Sequence, residues 1–168
     1  VGGDLHATAT TGNITQSGAL DIDLTTTLIT AADNATIDLN EDGITNVFTG
    51  ALLITTNDSG TGTDGDVTIH GGTTALILGA STIDGDLTLA STATGTAGIT
   101  NTGTLNIRGT TTVSASGVDV TLNSAANNFQ GKVAIDGVNV TVVDADNIML
   151  AASTVTGNYT LTAGGLGE

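Results

Sequence analysis

Cysteine and proline are both absent from this sequence. Without cysteine, no disulfide framework and no thiolate metal centre carries the fold, and the redox compartment is left open. Basic residues are nearly absent too: Arg108 and Lys132 stand against 17 acidic residues, for a formal net charge of -15. That imbalance excludes a nucleic-acid partner, because phosphate recognition needs clustered Lys and Arg, and it disfavours anionic membrane surfaces for the same reason. Tryptophan is missing and aromatics are 2% of the chain. A core must therefore be assembled from Val, Ile, Leu and Ala, which suit a narrow, regularly stacked interior. There is no initiator Met, no basic-plus-apolar leader and no apolar run of membrane-spanning length, so a secretion signal or anchor is expected outside this segment, without membrane insertion by the segment itself.

What is present is 39% hydrophobic residues and 24 glycines among abundant Thr, Asn and Asp. Gly and Asn tolerate positive φ and Thr favours the pleated conformation, so the composition describes short strands joined by many turns. Alternating triplets recur along the chain: Leu20-Asp21-Ile22, Ile37-Asp38-Leu39, Leu52-Leu53-Ile54, Val67-Thr68-Ile69, Leu87-Thr88-Leu89, Leu105-Asn106-Ile107 and Val120-Thr121-Leu122. Apolar residues alternating with polar ones between turn residues mark strands with one buried face. The triplets start 15 to 20 residues apart, a spacing that fits one coil of a solenoid and predicts about nine coils, a rod of roughly 43 Å at the usual strand separation.

A longer repeat lies above this period. Gly18-Ala19-Leu20-Asp21-Ile22 matches Gly103-Thr104-Leu105-Asn106-Ile107, and Thr25-Thr26-Thr27 matches Thr110-Thr111-Thr112, at an offset of 85. Asn46-Val47-Phe48-Thr49-Gly50 matches Asn127-Asn128-Phe129-Gln130-Gly131 at 81, and Leu78 to Ile83 matches Leu150 to Val155 at 72. The shrinking offset places a deletion opposite Thr55 to Asp66, as expected for a loop that protrudes from a coil. The chain divides into residues 1–11 as the tail of a preceding repeat, 12–97 as repeat one and 98–168 as repeat two, all one continuous solenoid. No such unit buries its apolar face alone, whereas stacked coils bury like residues in ladders. An antiparallel sandwich is the rival architecture, but it usually carries a Trp or Tyr anchor and leaves the recurrence of like residues unexplained.

The repeats Ile14-Thr15-Gln16-Ser17-Gly18-Ala19-Leu20, Asn127-Asn128-Phe129-Gln130-Gly131-Lys132-Val133 and Ala80-Ser81-Thr82-Ile83-Asp84-Gly85-Asp86-Leu87 resemble the repeat regions of filamentous-haemagglutinin-like exoproteins and large autotransporter-type bacterial adhesins. The resemblance spans nearly the whole chain. It implies an all-β fold, a right-handed parallel β-helix exported across the outer membrane, often by a dedicated partner transporter, and displayed as an extracellular rod at the cell surface.

No catalytic, cofactor-binding or metal-binding residue is assigned. Asp58 to Asp66 is similar to the Gly- and Asp-rich nonapeptide of calcium-binding β-rolls, so Ca²⁺ is the one ion the sequence would suit, but the motif occurs once and such sites need consecutive copies. Asn40-Glu41-Asp42-Gly43 and Asp144-Ala145-Asp146 read as solvated turns. His6 and His70 fall on separate coils with no second ligand at metal spacing and are expected to face outward. The serines lack a nucleophile elbow with matching His and Asp. A polysaccharide-degrading β-helix would want paired carboxylates and aromatic platforms. The aromatics are Phe48, Phe129 and Tyr159, and the repeat-matched Phe pair reads as structural. Threonine triplets at 25–27 and 110–112 could form flat outward hydroxyl arrays, but on too few coils to bind ice, and threonine ladders are more often cross-strand pairs that stabilise a sheet or O-glycan acceptors; Asn13, Asn34, Asn57, Asn139 and Asn158 head glycan sequons of the kind a Thr-rich chain acquires by chance. The expectation is a non-enzymatic structural or adhesive stalk or filament segment. Its expected partners are further repeats of the same chain or end-to-end self-association, with surface glycans or proteins as the alternative.

Overall fold

The computed structural model describes residues 2–41, 44–57, 64–95 and 98–165. In the first turn lie β1 (Leu5–Ala9), β2 (Ile14–Thr15) and β3 (Asp21–Ile22), followed by β4 (Thr26–Thr30), β5 (Ile37–Leu39) and β6 (Val47–Phe48). Next come β7 (Ala51–Thr55), β8 (Val67–His70), β9 (Leu76–Leu78), β10 (Ser81–Ile83), β11 (Leu87–Ala90), β12 (Ile99–Asn101) and β13 (Leu105–Ile107). The last seven are β14 (Thr111–Ser114), β15 (Val120–Leu122), β16 (Asn128–Phe129), β17 (Lys132–Asp136), β18 (Val140–Asp144), β19 (Met149–Leu150) and β20 (Tyr159–Ala163). Among the described residues no helix forms and the strand pairs are parallel. The fold is therefore the expected all-β solenoid.

One sheet gives the turn count. The order β2, β5, β8, β11, β14, β17, β19 stacks seven layers. Within it Ile14, Ile37, Val67, Leu87, Thr111, Val133 and Leu150 sit directly above one another. Successive members of that column are 17 to 30 residues apart, so the 15 to 20 residue spacing of the triplets is not the coil. Except between Val67 and Leu87, which stack on one face, it joins strands on different faces of a turn that carries up to three. The stack has about seven turns rather than nine, and its length is roughly 34 Å rather than 43 Å at 4.8 Å per layer.

Side chains alternate along these strands, and the inward set forms continuous columns such as Leu39, Ile69, Leu89, Val113 and Ile135. Phe48 and Phe129 are both 1% exposed and fill matching places in the two copies, as the repeat alignment predicts. In the threonine triplets Thr26 and Thr111 point inward and are fully buried, so only their flanking residues face water and no flat hydroxyl array forms. A pleated strand sends alternate side chains to opposite faces, and no run of three can lie flat on one.

The long repeat and the turn are out of step. β1, β4 and β7 belong to the eleven-stranded sheet, but their counterparts β11, β14 and β17 belong to the seven-stranded one; β2, β5 and β8 make the reverse exchange with β12, β15 and β18. The copy at 12–97 contributes β4, β7 and β9 to one face and β2, β5, β8 and β11 to the other before the next copy takes over. Four layers against three make about three and a half turns. Each copy is thus rotated by half a turn on its predecessor.

Polar residues hold the corners. Asn46 is fully buried; its Oδ1 accepts from the Leu20 N–H at 3.0 Å, and its Nδ2 donates to the Leu39 and His70 carbonyls at 3.1 Å each. Asn127 repeats this with Leu105 N at 3.0 Å, Leu122 O at 3.2 Å and Val143 O at 3.3 Å. Between neighbouring turns, acidic and amide side chains just before strands accept the next turn's N–H. Asp4 accepts from Thr25 at 2.9 Å, Asp66 from Asp86 at 2.8 Å, Asp86 from Thr110 at 2.6 Å, and Asp119 from Asn139 at 3.0 Å. Much of the acidity is therefore structural as well as solubilising, since each carboxylate satisfies a backbone donor at a corner. Glycines permit the tight corners: a Cβ at Gly50 would overlap the Leu24 carbonyl, and one at its counterpart Gly131 the Gly109 carbonyl.

Candidate functional site

The residues singled out from sequence are scattered by the fold. His6 is exposed on β1, with its Nε2 3.3 Å from Thr8 Oγ1, while His70 is half-buried at the end of β8. Ser81 is a buried structural residue. At the junction of β9 and β10 its Oγ accepts from Ile54 N at 3.1 Å and donates to Gly79 O at 3.2 Å, substituting for a ladder carbonyl. Ser153 does the same in the second copy, to Ile135 N at 2.9 Å and Ala151 O at 3.2 Å. Asp144 is not the solvated turn residue expected. It is buried, with Oδ2 accepting from Phe129 N at 3.1 Å and Oδ1 from Asp146 N at 2.8 Å. Of the other two acidic turns, Asp42, Gly43 and 58–63 lie outside the described residues.

Two features remain that could meet a ligand. The first is a shallow groove of about 240 Å³ along the edge of the seven-stranded sheet. It crosses four turns, taking His70 from β8, Ala90 and Ser91 beside β11, Ser114 from β14 and Asp136 from β17. Its small hydroxyl and methyl side chains leave the floor open, and it was not legible in the sequence because its residues come from turns about 20 residues apart.

The second is an acidic corner where the β7–β8 connection re-enters the stack. Asp84 follows β10, its backbone N–H donates to Thr56 Oγ1 at 2.8 Å, and its side chain has no solvent exposure. One oxygen pairs with the Arg108 guanidinium on the turn above. The other, Oδ2, has no hydrogen-bond partner among the described residues, and neither does the buried Oδ1 of Asp64. Burial above all, then a side-chain hydrogen bond shared with the Asp84 carboxyl and the charges of Asp84 and Asp33, push the Asp64 carboxyl above its ordinary 3.8, against a hydrogen bond from the Asn34 backbone that lowers it. Asp33 itself accepts from Asn57 Nδ2 at 2.6 Å. Among the described residues, no group of three or more His, Cys, Asp or Glu side chains is arranged to hold a metal ion by itself.

The ends of the stack are apolar. At the first turn, Leu5, Ile14, Leu20 and Leu28 line a cavity of about 380 Å³. On the last, Met149, Leu150, Tyr159 and Leu161 are 36–53% exposed.

A family model described as repeats of unknown function (DUF5649) matches residues 1–55 and 64–136. The matched segments part at the connection between β7 and β8, where the first copy has eleven residues and the second, between β17 and β18, has three. No curated protein and no solved structure matches the chain.

Proposed function

The chain belongs to the family of repeats of unknown function (DUF5649), and from that footing we propose that it is a structural or adhesive stalk segment of a secreted bacterial surface protein. The observation that carries this reading is the apolar surface at both ends of the stack, around Leu5, Ile14 and Leu20 and across Tyr159 and Leu161. A further coil, from the same chain or a second copy, would cover it and complete the unpaired strand edges. The register is already set: β20 is the counterpart of β11, on which β14 stacks, so a strand like β4 fits on β20. Repeats added in this way change length without changing chemistry. Display outside the cell suits a strongly acidic chain, and the resemblance to filamentous-haemagglutinin-like and autotransporter-type adhesins supports export to the cell surface. Catalysis has no place in this reading.

The axial groove beside His70, Ser91 and Ser114 favours a second reading, in which the segment itself binds glycans or proteins. Arrays of surface glycans and matrix proteins probed with the purified chain separate the two. A passive stalk gives no saturable binding at micromolar concentration; saturable binding lost on Ser114→Trp, which fills the groove, would make the segment an adhesive surface and overturn the passive one.

A further inference from the structure

We propose that the axial groove beside β8, β11, β14 and β17 takes a linear, neutral oligosaccharide, with Ser114 and Asp136 as its central polar contacts, an inference that rests on the reading of the segment as a binding surface. The groove follows a column of side chains held in register across four turns: His70, Ala90, Ser114 and Asp136. Three layer steps give it a length of roughly 14 Å along the rod. The residues directly after the column are Gly71, Ser91, Ala115 and Gly137, so nothing larger than a serine side chain rises on that flank. A narrow trough results, running across the strands.

Its chemistry selects a hydroxyl-rich ligand. Ser114 and Ser116 are exposed, and each hydroxyl both donates and accepts. Asp136 commits Oδ1 to the Thr154 N–H at 2.7 Å, which leaves Oδ2 to accept from a ligand hydroxyl. At the other end His70 places Nδ1 3.4 Å from the Ile44 carbonyl, so Nε2 is the ring nitrogen available to a ligand. Between them Ala90 offers a methyl against which the apolar face of a sugar ring can rest. A peptide finds less here. The backbone beneath the groove is paired from turn to turn, which leaves no edge for strand addition, and no aromatic or large aliphatic pocket lines it for an anchor. Charge removes the acidic glycans. With a formal net charge of -15 on the chain and Asp136 in the groove, a ligand bearing carboxylates or sulfates is repelled.

The first copy shows what closes such a groove. The counterparts of Ala90, Ser114 and Asp136 are Thr8, Ile29 and Thr55, stacked in the same register on the other sheet. Ile29 puts a branched aliphatic side chain where Ser114 has a small hydroxyl, and Thr55 replaces the accepting carboxylate. The trough therefore belongs to the passage of the second copy across β14 and β17. Ser114→Ile is also a change that the fold already accommodates at the equivalent place, so it fills the groove without breaking the stack.

The test is titration of the isotope-labelled 168-residue chain with cellotetraose, maltotetraose and N-acetylated chitotetraose, and with tetragalacturonate as the acidic counterpart, followed by amide chemical shifts in two-dimensional NMR. Saturable shifts are expected at His70, Ala90, Ser114 and Asp136 with at least one neutral chain, at a Kd on the order of 10⁻³ M for so shallow a site, and none with tetragalacturonate. Ser114→Ile weakens binding by roughly tenfold or more, Ser114→Ala, which removes only the hydroxyl, weakens it less, and Thr121→Ser on the other sheet leaves it unchanged. Equal shifts with neutral and acidic chains, or binding that survives Ser114→Ile, overturns the site. No shift with any sugar, while saturable protein binding to the chain persists on arrays, overturns the oligosaccharide and leaves the adhesive reading standing. Silence in both experiments overturns the two together.

Discussion

Asn46 and Asn127 sit where the chain turns inside an apolar wall, and each engages backbone groups from three places in the fold. Replacing one with an apolar residue of similar size leaves those groups buried and unpaired, a penalty of roughly 1–3 kcal/mol for each group that water cannot reach. Asn127→Leu is accordingly expected to destabilise the chain by about 2–4 kcal/mol in chemical denaturation, while Asn13→Ala, at an exposed corner, changes it far less. The Asn-x-Phe-x-Gly pattern itself was legible in the sequence, including the structural role of Phe48 and Phe129. The asparagine's task was not, because its partners Leu20 and Leu105 lie 26 and 22 residues upstream. The same distance hid the work of the aspartates. Asp66 and Asp86 look like solvated turn residues until the next turn's N–H is placed above them.

At the level of elements, each alternating triplet named from sequence is a strand or contains one, since period-two burial is a local property. Which face a strand belongs to is not local. Leu52-Leu53-Ile54 and Val67-Thr68-Ile69 look alike, yet one lies in the eleven-stranded sheet and the other in the seven-stranded sheet, and counting them as one coil each inflated the number of turns. Two-residue strands such as β2 and β19 carry too short a pattern to recognise. The junction of β9 and β10 shows a further device. β7 pairs first with β9 and then, one residue out of step, with β10, and Ser81 Oγ supplies the acceptor that the break removes. Ser81→Ala leaves the Ile54 N–H buried without an acceptor, at an expected loss of about 1–3 kcal/mol. Amide hydrogen exchange at Ile54 checks it directly: protection there should fall more than at Leu28, one layer away. Unchanged protection at Ile54 would show that the serine is dispensable.

For the whole molecule, the repeat and the turn need not agree. A copy of three and a half turns presents the same sequence alternately on opposite sides of the rod, so any ligand-binding feature repeated once per copy alternates sides as well. Residues that serve the stack, the buried Asn corners and the Asn-x-Phe-x-Gly motif, work equally on either side, whereas the acidic corner at Asp64 and Asp84 exists only where the longer connection is kept. The sequence revealed the stacking and the repeat but not their mismatch, which depends on three-dimensional pairing. The candidate sites were the least legible part, since both the groove and the acidic corner are assembled across turns.

The most direct test of the solenoid as a length-setting element is the end-to-end dimension of tandem arrays carrying one, two, four and eight copies of residues 12–97, measured by small-angle scattering and electron microscopy. Stacked coils at three and a half turns per copy predict growth of roughly 17 Å per copy at constant cross-section. Particles that grow in width as copies are added, or whose length stays fixed, would contradict it.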